Sequence, residues 1–386
     1  MGLPLIILSC LLLIVVLAAV KFIFNPLGLG PEPDTVLTGG FFSAPGNGAG
    51  KLELLVDGKE AFDEVLRSID TARSSIHVQT YIWKDDDTGR QVVTKLKAAA
   101  DRGVKVTVKK DALGTFFELA DTIKGKPSPV FTKAGLRDYR NIDVNVDVFA
   151  DTDHSKYFIV DQKEVIFGGM NIADEYRMQW HDYMALIRSA RWTAAFENKA
   201  LKSTPWPAPS PFVITLNDRN VTEIRTALIE MINNAKESVT LEHAYFSDDK
   251  VIAAVKQAAG RGLKVNILLP KKPDTHLYAN RVTINRLLQA TNRKVPRVFL
   301  YPRMMHAKVV LTDGVIAAVG SANLTPRSML TSREVTMFVH GEPDDPFIKE
   351  LRDRLEADMA ESEEVTHPFD LGVSDKLKAL LGKYIW

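Results

Sequence analysis

The same frame of polar residues occurs twice in this sequence, and this duplication constrains the fold more than any other feature. His154 and His306 each have a lysine two positions later and an aspartate seven positions later. A glycine follows fourteen positions after each histidine, an asparagine seventeen and an acidic residue twenty-eight. One such frame would be a weak signal, but two copies that agree at every offset predict a chain that folds as two similar halves.

The residues of the first frame are His154, Lys156, Asp161, Gly168, Asn171 and Asp182, and those of the second are His306, Lys308, Asp313, Gly320, Asn323 and Glu334. The segments before the frames are also alike. The pattern predicts strands at 75–83 and 104–108 with a helix at 89–102 between them, and the same order returns at 237–246, 251–261 and 262–269. A strand, helix and strand in close succession predict a parallel α/β sheet in each half.

Glycine and proline mark the boundaries of the two halves. Residues 25–50 are rich in both and predict a spacer, while residues 204–211 contain four prolines in eight positions, which neither a helix nor a central strand tolerates. We therefore predict domains at 51–203 and 212–365 with a linker between them. The tail at 366–386 has leucines at helical spacing and is expected to pack on the body or to lie on a membrane surface.

The N-terminus departs from globular composition. Residues 3–20 contain no charge, and a helix of this length spans a hydrocarbon core of about 30 Å. No basic segment precedes the apolar run, so a membrane anchor at 1–24 is favoured over a cleaved secretory signal. Lys21 follows the apolar run and favours a catalytic body on the cytoplasmic side of the cell membrane.

The repeated residues suit chemistry at a phosphodiester. Alternate residues of a strand face the same side, so the histidine and lysine of each motif can project together. The lysines and asparagines can stabilise charge on phosphoryl oxygens, while one imidazole attacks phosphorus and the other protonates the leaving oxygen. A metal site fits poorly, because a lysine rather than a second histidine stands two positions after each histidine. No metal or other cofactor is expected.

Cysteine and charge narrow the function further. The single cysteine, Cys10, excludes a disulfide framework and a cysteine-based metal site. The formal net charge is only +1, but residues 261–308 contain eleven Lys or Arg and one acidic residue, Asp274. This stretch is either a solvated surface or a basic rim that attracts lipid headgroups or nucleic-acid phosphates.

The two motifs, each followed by Gly-Gly or Gly-Ser and then asparagine, resemble the twin signatures of the phospholipase D superfamily. Within it, the chain is most similar to the bacterial cardiolipin synthases over residues 50–365. The resemblance implies two α/β/α domains that meet across a pseudo-twofold axis. It also implies catalysis without a metal, through a covalent phosphohistidine.

The resemblance assigns roles to the repeated residues. His154 would be the nucleophile with Glu334 behind it, and His306 the general acid with Asp182 behind it. Asp161 and Asp313 would hold the local structure of each motif more than take part in the chemistry. The phosphate-binding residues would be Lys156, Lys308, Asn171, Ser321 and Asn323.

Three functions remain open for such a site. A phosphatidyltransferase of the cardiolipin synthase type is favoured, a phospholipid hydrolase would use the same residues with water, and a membrane-tethered nuclease would use the basic stretch. The expected partners are an anionic phospholipid substrate and the membrane, and nucleic acid is disfavoured. Because one chain carries both motifs, an oligomer is not required for a complete site.

Overall fold

The computed structural model describes residues 52–146, 151–289 and 295–385. The predicted membrane anchor at 1–24 and the spacer at 25–50 lie outside the described residues. Within the described part of the chain, no helix is both long enough and apolar enough to cross a membrane.

The described residues of the first half form seven strands and five α-helices. The strands are β1 (Leu52–Val56), β2 (Ser75–Thr80), β3 (Lys105–Lys110), β4 (Ile142–Asn145), β5 (Tyr157–Val160), β6 (Glu164–Gly168) and β7 (Tyr183–Arg188). The helices are α1 (Asp57–Thr71), α2 (Asp87–Asp101), α3 (Leu119–Ile123), α4 (Asp174–Met178) and α5 (Ala190–Lys202). Short 3-10 turns at Leu113–Glu118 and Pro129–Phe131 complete the segment between β3 and β4.

The second half repeats this order of elements among its described residues. Its strands are β8 (Phe212–Asn217), β9 (Ser238–His243), β10 (Lys264–Pro270), β11 (Arg297–Tyr301), β12 (Lys308–Thr312), β13 (Ile316–Gly320), β14 (Glu334–His340) and β15 (Glu363–Glu364). Its helices are α6 (Glu223–Asn234), α7 (Asp249–Gly260), α8 (Leu277–Leu288), α9 (Pro326–Leu330), α10 (Pro346–Glu361) and α11 (Val373–Ile385). The predicted strands and helices around residues 75–108 and 237–269 all form, with ends shifted by up to three residues.

The two sheets have the same topology. The first has the strand order β1-β7-β6-β5-β2-β3-β4, and the second has β8-β14-β13-β12-β9-β10-β11 with β15 added at its edge. Only β2, β3 and β4, and their counterparts β9, β10 and β11, are parallel. The parallel pairing predicted for the strand-helix-strand segments is confirmed, since β2 pairs with β3 and β9 with β10. Each sheet as a whole is mixed, because tight turns join the motif strands into antiparallel hairpins that need no crossover helix.

The buried hydrophobic residues of the described chain form three clusters. A central cluster lies between the two sheets and draws residues from both halves, including Tyr157 and Phe167 of the first and Val309 and Val335 of the second. Two outer clusters lie under α1 and α2 in the first half and under α6 and α7 in the second. Because the two halves share the central cluster, their sheets face each other across a common core.

The linker and the tail lie against this body. Residues 204–211 contain neither helix nor strand, and Trp206 stacks on Trp192 at a ring distance of 5.8 Å. In the tail, α11 packs against α8. The expected helix forms and packs on the body, while its side chains Leu377, Leu380 and Leu381 remain 58%, 54% and 48% exposed.

Candidate active site

The carboxyl ends of parallel strands position the two motifs. Tyr157 lies opposite Gln79 of β2, so Lys156 and the residues before it reach the end of that strand. In the second half, Lys308 lies opposite His243, the last residue of β9. This is the edge at which open α/β sheets bind their ligands.

The motif histidines contact carboxylates from opposite halves of the chain. His154 Nδ1 lies 2.9 Å from Glu334 Oε1, across 180 residues of sequence, and His306 Nδ1 lies 2.8 Å from Asp182 Oδ2. Each pair shares a proton between Nδ1 and a carboxylate oxygen, which leaves Nε2 as the reactive nitrogen. The structure therefore brings these four residues together in the crossed pairs that the resemblance implies.

Glu334 is fully buried and accepts hydrogen bonds from three side chains. Besides His154, the Ser321 hydroxyl donates to Oε2 at 2.6 Å and the Ser328 hydroxyl donates to Oε1 at 2.7 Å. These donors satisfy a negative carboxylate. The structure thus places Ser321, which was predicted to bind phosphate, against the carboxylate behind His154.

Asp182 accepts fewer hydrogen bonds than Glu334, and the backbone of the first motif packs closely against it. Its Oδ1 accepts the backbone N–H of Tyr183 at 2.8 Å. Gly169, the counterpart of Ser321, lies against it, and a Cβ at position 169 would stand 2.4 Å from Oδ1 and 2.5 Å from Oδ2. The second glycine of the first motif therefore makes room for this carboxylate.

Burial changes the protonation of both histidines. Burial lowers the pKa of His154, although the Glu334 carboxylate opposes the shift. Burial, reinforced by Lys308 and Lys156, lowers the pKa of His306 well below its usual value. Both imidazoles are therefore neutral at pH 7, and His154, whose side chain is 16% exposed, is the more accessible of the two.

The same burial acts on the other charged groups of the site. It raises the pKa of Asp182 to about 7, against the opposing charge of Lys308. It lowers the pKa of Lys156 to about 7 and that of Lys308 to about 8. Each lysine Nζ donates to the backbone carbonyl of the histidine two positions before it, so both point into the site. A bound phosphodiester anion would favour their charged forms.

The motif asparagines differ in their contacts. Asn171 is engaged within its own half, because its Oδ1 accepts the N–H of Ile82 at 3.0 Å and its Nδ2 donates to the Tyr176 hydroxyl at 2.8 Å. The buried Asn323 Oδ1 has no hydrogen-bond partner among the described residues. The Asn171 amide therefore holds the loops of the site.

The motif aspartates lie beyond the far end of the motif strands. Asp161 accepts the backbone N–H groups of residues 73, 74 and 75, and Asp313 accepts those of residues 236, 237 and 238. The four residues of β5 separate Asp161 from Lys156, which is more than 13 Å along a strand. Their contacts tie the start of β2 and of β9 to the motif strand.

Four aromatic side chains form the walls of the site, and sequence reasoning did not assign them. The Tyr81 ring lies 4.7 Å from that of His154. The rings of Tyr176, Trp180 and Tyr245 lie 5.1, 5.7 and 6.2 Å from that of His306. Tyr81 is the first residue after β2 and Tyr245 is the second after β9, so the two tyrosines reach the site from positions that are not equivalent in the repeat.

Outside the two frames, His77, His181, His243, His276, His340 and His367 were predicted to be structural or surface residues, with His181 and His243 near the pocket. His243 is buried beside Lys308, and its pKa is well below the usual value because of burial and that lysine. His181 is fully buried among carboxylates. Several cations of the basic stretch form surface ion pairs, among them Arg286 with Asp249 and Arg297 with Glu364.

Two similar α/β halves and a pair of crossed His–carboxylate contacts define an enzyme of the phospholipase D superfamily, and comparison with known proteins agrees. The family described as "Cardiolipin synthase, PLD-like domain" matches residues 65–202 and 228–359. The chain belongs to this family.

Curated relatives and a solved structure extend the comparison. The chain is 29% identical to a cardiolipin synthase of Listeria welshimeri, over 82% of this chain and 70% of that protein. It is 26% identical to a cardiolipin synthase of Staphylococcus aureus, over 82% and 68%. The fold is similar to the crystal structure of a phosphatidylserine synthase from Haemophilus influenzae, with a TM-score of 0.66, 13% identity and coverage of 88% and 94%.

Proposed function

We propose that this enzyme is a phosphatidyltransferase of the cardiolipin synthase type, which moves a phosphatidyl group from one phosphatidylglycerol to a hydroxyl of another. The crossed pairs of His154 with Glu334 and His306 with Asp182 carry this proposal. They give one site two histidines in different protonation environments, as a two-step transfer requires. Membership of the cardiolipin synthase family supports the choice of substrate.

In the first step, His154 acts as the nucleophile. Its neutral ring keeps a proton on Nδ1 against Glu334, so the Nε2 lone pair can attack phosphorus. As the new N–P bond forms, the bond from phosphorus to the glycerol oxygen breaks. His306 Nε2 gives its proton to that oxygen, and glycerol leaves.

Asp182 supplies the proton that this step needs. With its pKa raised to about 7 by burial, the carboxyl group carries a proton in part of the population at neutral pH. When Asp182 is protonated, its O–H donates to Nδ1 of the neutral His306, so the single ring proton of His306 is on Nε2. When Nε2 donates, the Asp182 proton moves to Nδ1, so the neutral pair ends as a carboxylate and a neutral imidazole.

In the second step, a hydroxyl of another phosphatidylglycerol attacks the phosphohistidine. His306 Nε2 removes the hydroxyl proton, the new O–P bond forms and the bond between phosphorus and His154 breaks. The products are cardiolipin and the resting enzyme. Lys156 and Lys308 would stabilise the charge on the phosphoryl oxygens in both steps.

We also propose that the two halves, at 51–203 and 212–365, are domains related by a pseudo-twofold axis. The repeated strand order and the reciprocal histidine contacts support this relation. Each half supplies one histidine and the carboxylate that contacts the histidine of the other half, so a single chain suffices for turnover.

The site is proposed to work at the cytoplasmic surface of the cell membrane, with residues 3–20 as the anchor. The exposed stripe on α11, defined here as Val373, Leu377, Leu380 and Leu381, supports a second contact with lipid. The exposed Lys376 and Lys378 accompany this stripe and complement an anionic lipid surface. A cavity of about 600 Å³ between α8 and α11 has both apolar and basic lining residues.

The test is a product assay on full-length protein in vesicles that contain phosphatidylglycerol, read by lipid mass spectrometry with His154→Ala as the blank. Equal amounts of cardiolipin and glycerol are expected from the wild-type enzyme. Phosphatidic acid alone would replace the transferase with a hydrolase. Unchanged lipid, together with cleavage of oligonucleotide diesters, would contradict a lipid substrate.

A further inference from the structure

A basic residue directly precedes the acid behind each catalytic histidine. His181 precedes Asp182 and Arg333 precedes Glu334, so each lies twenty-seven positions after the histidine of its own half. This is a further offset shared by the two frames, with a titratable cation in one copy and a permanent cation in the other.

The backbone of each basic residue binds the motif of the opposite half. The N–H of His306 donates to the His181 carbonyl at 2.7 Å, and the His181 N–H donates to the Met304 carbonyl at 3.0 Å. In the same way, the N–H of His154 donates to the Arg333 carbonyl at 2.9 Å, and the Arg333 N–H donates to the carbonyl of residue 152 at 2.7 Å. Each basic residue thus forms a short parallel β-bridge to the segment that carries the other half's histidine.

The side chains anchor these bridges at equivalent places. His181 Nδ1 lies 2.5 Å from Oδ1 of Asp57, the residue that follows β1. Arg333 Nη1 lies 3.4 Å from Oδ2 of Asp218, the residue that follows β8. Because β1 and β8 hold the same place in the two sheets, the same contact is made twice.

His181 also reaches into the second half. Its Nε2 lies 3.1 Å from Glu242 Oε1 on β9 and 3.1 Å from Asp358 Oδ2 on α10, and all three side chains have no exposed surface. Three carboxylates therefore surround one imidazole, and the Arg354 and Arg303 guanidiniums and the Tyr183 hydroxyl are the other polar groups facing the cluster.

The charges around His181 favour its protonated form. Burial by itself lowers the pKa of this imidazole, but Glu242, Asp358 and Asp57 outweigh burial and raise it well above the usual value. An imidazolium with two N–H donors matches acceptors on both sides of the ring. His181 is then a cation at neutral pH, as Arg333 is in the other copy.

We infer that His181 and Arg333 are paired positioning residues, each of which uses its positive charge to hold the catalytic histidine of the opposite half against its carboxylate. The cation is fixed to its own half through Asp57 or Asp218, and its backbone fixes the other half's motif. Neither residue takes part in the chemistry. A shift of one half against the other would lengthen both the His154–Glu334 and the His306–Asp182 contacts. Displacements of about 1 Å at a reacting group can lower the rate by 10²-fold.

A bound metal ion is the competing explanation for the buried cluster, because His181, Glu242 and Asp358 present ligand atoms within 4.8 Å of one another. The geometry favours a proton. Asp358 Oδ1 is already paired with Arg354 at 3.1 Å, and His181 Nε2 points at both carboxylates within hydrogen-bonding distance.

The test compares His181→Gln, His181→Arg and Arg333→Gln in the full-length enzyme, with total phosphatidylglycerol consumption as the readout. We expect His181→Gln to lower kcat by about 10²-fold at nearly unchanged KM. It should also move the alkaline limb of the pH profile to higher pH. The His181 charge lowers the pKa of the neighbouring Asp182, so its removal should raise that pKa. His181→Arg should restore the position of that limb and most of kcat.

Arg333→Gln tests the other copy, and one further variant, Arg225→Gln, serves as the control. Arg333→Gln should lower kcat to a similar extent and leave the alkaline limb in place, because it lies beside Glu334. Arg225→Gln removes a different buried ion pair, with Asp248 at 2.8 Å, and should lower Tm without moving the limb. If His181→Gln does not fold, Asp57→Asn, at a side chain that is 37% exposed, should still lower kcat at constant KM.

Three results would overturn the inference. They are a His181→Gln enzyme with wild-type kcat and pH limb, an Asp57→Asn enzyme with wild-type kcat, and one equivalent of divalent metal whose removal by chelation abolishes turnover. The inference rests on the site of the proposed function but not on its acceptor, because substrate consumption counts transfer and hydrolysis alike. The products of the wild-type enzyme test the proposed function separately.

Discussion

At the scale of single residues, the two motif histidines differ mainly in the carboxylates that their Nδ1 atoms contact. Glu334 receives two serine hydroxyls in addition to His154. Asp182 receives one backbone N–H besides His306, and burial raises its pKa to about 7. This difference supports His154 as the nucleophile and His306 as the general acid, on grounds other than family resemblance.

We expect the two histidines to separate when the leaving group needs no proton. With phosphatidylglycerol, His154→Gln and His306→Gln should both lose about 10³-fold or more in rate. With a phosphatidyl ester of p-nitrophenol, His306→Gln should still release one equivalent of nitrophenolate in a burst, because His154 can attack but the second step lacks its base. Rapid-quench kinetics measure the burst, and a burst from His154→Gln instead would reverse the assignment.

The pH dependence of the reaction rate follows from the ionisable groups of the site. Asp182 must hold its proton in the first step, so kcat/KM should fall as pH rises through about 7. Loss of charge from Lys156, near pH 7, and from Lys308, near pH 8, acts in the same direction. On the acid side, the rate should fall only below pH 6.5, where His154 is protonated, because burial lowers its pKa from that value. A profile that rises between pH 7 and 9 would contradict this scheme.

Gly169 offers a test of the space beside Asp182. A Cβ there would stand 2.4 Å from Oδ1, closer than atoms pack, so Gly169→Ala should push the carboxylate from His306 and lower kcat by about 10²-fold. Gly260→Ala is the matched control, since a Cβ at that position meets nothing within 4 Å. Steady-state kinetics compare the two, and equal activity would show that the carboxylate can move without cost.

At the scale of elements, each motif strand is tied to its neighbour by the aspartate beyond its far end. Asp161→Asn should destabilise the fold by about 1–3 kcal/mol while changing kcat less than tenfold, because its oxygens accept backbone N–H groups far from the histidines. These bonds hold the pKa of Asp161 below its usual value of 3.8 despite burial, so the stabilisation is present above that pH and lost below it. Urea unfolding at pH 7 and pH 3 measures this, with the exposed Asp143→Asn as control; equal loss at both pH values would contradict it.

The exposed apolar stripe on helix α11 is a second feature at the scale of elements, and its contact with lipid can be tested. Leu377→Ser with Leu380→Ser should lower turnover of phosphatidylglycerol in vesicles and leave turnover of a short-chain, water-soluble analogue unchanged, because these leucines are exposed and outside the site. Ile123→Ser, at another exposed apolar side chain, is the control. Equal effects on both substrates would assign the stripe to folding rather than to lipid contact.

At the scale of the whole molecule, repetition in the sequence made much of the fold predictable. The frames located His154, His306 and their acids, since equal offsets in two copies imply equal places in two sheets. The antiparallel hairpins were missed, because periodicity identifies strands but not their direction.

The walls of the site depend on contacts that no local pattern reveals. Tyr176 and Trp180 reach His306 from the other half of the chain. Ser328 reaches Glu334 from α9, and no motif spacing marks that contact as functional. Where a role arises only when distant segments fold against each other, residue type and spacing leave several roles possible, as they did for Ser321.

The crossed acids also limit how this duplicated chain can change over generations. When a gene duplicates, one copy is usually free to drift while the other keeps the ancestral task. Under the proposed mechanism, the loss of Glu334 would disable the histidine of the other copy, His154, and the loss of Asp182 would disable His306. Neither copy can be released from selection, so the two must be inherited, and altered, as one unit.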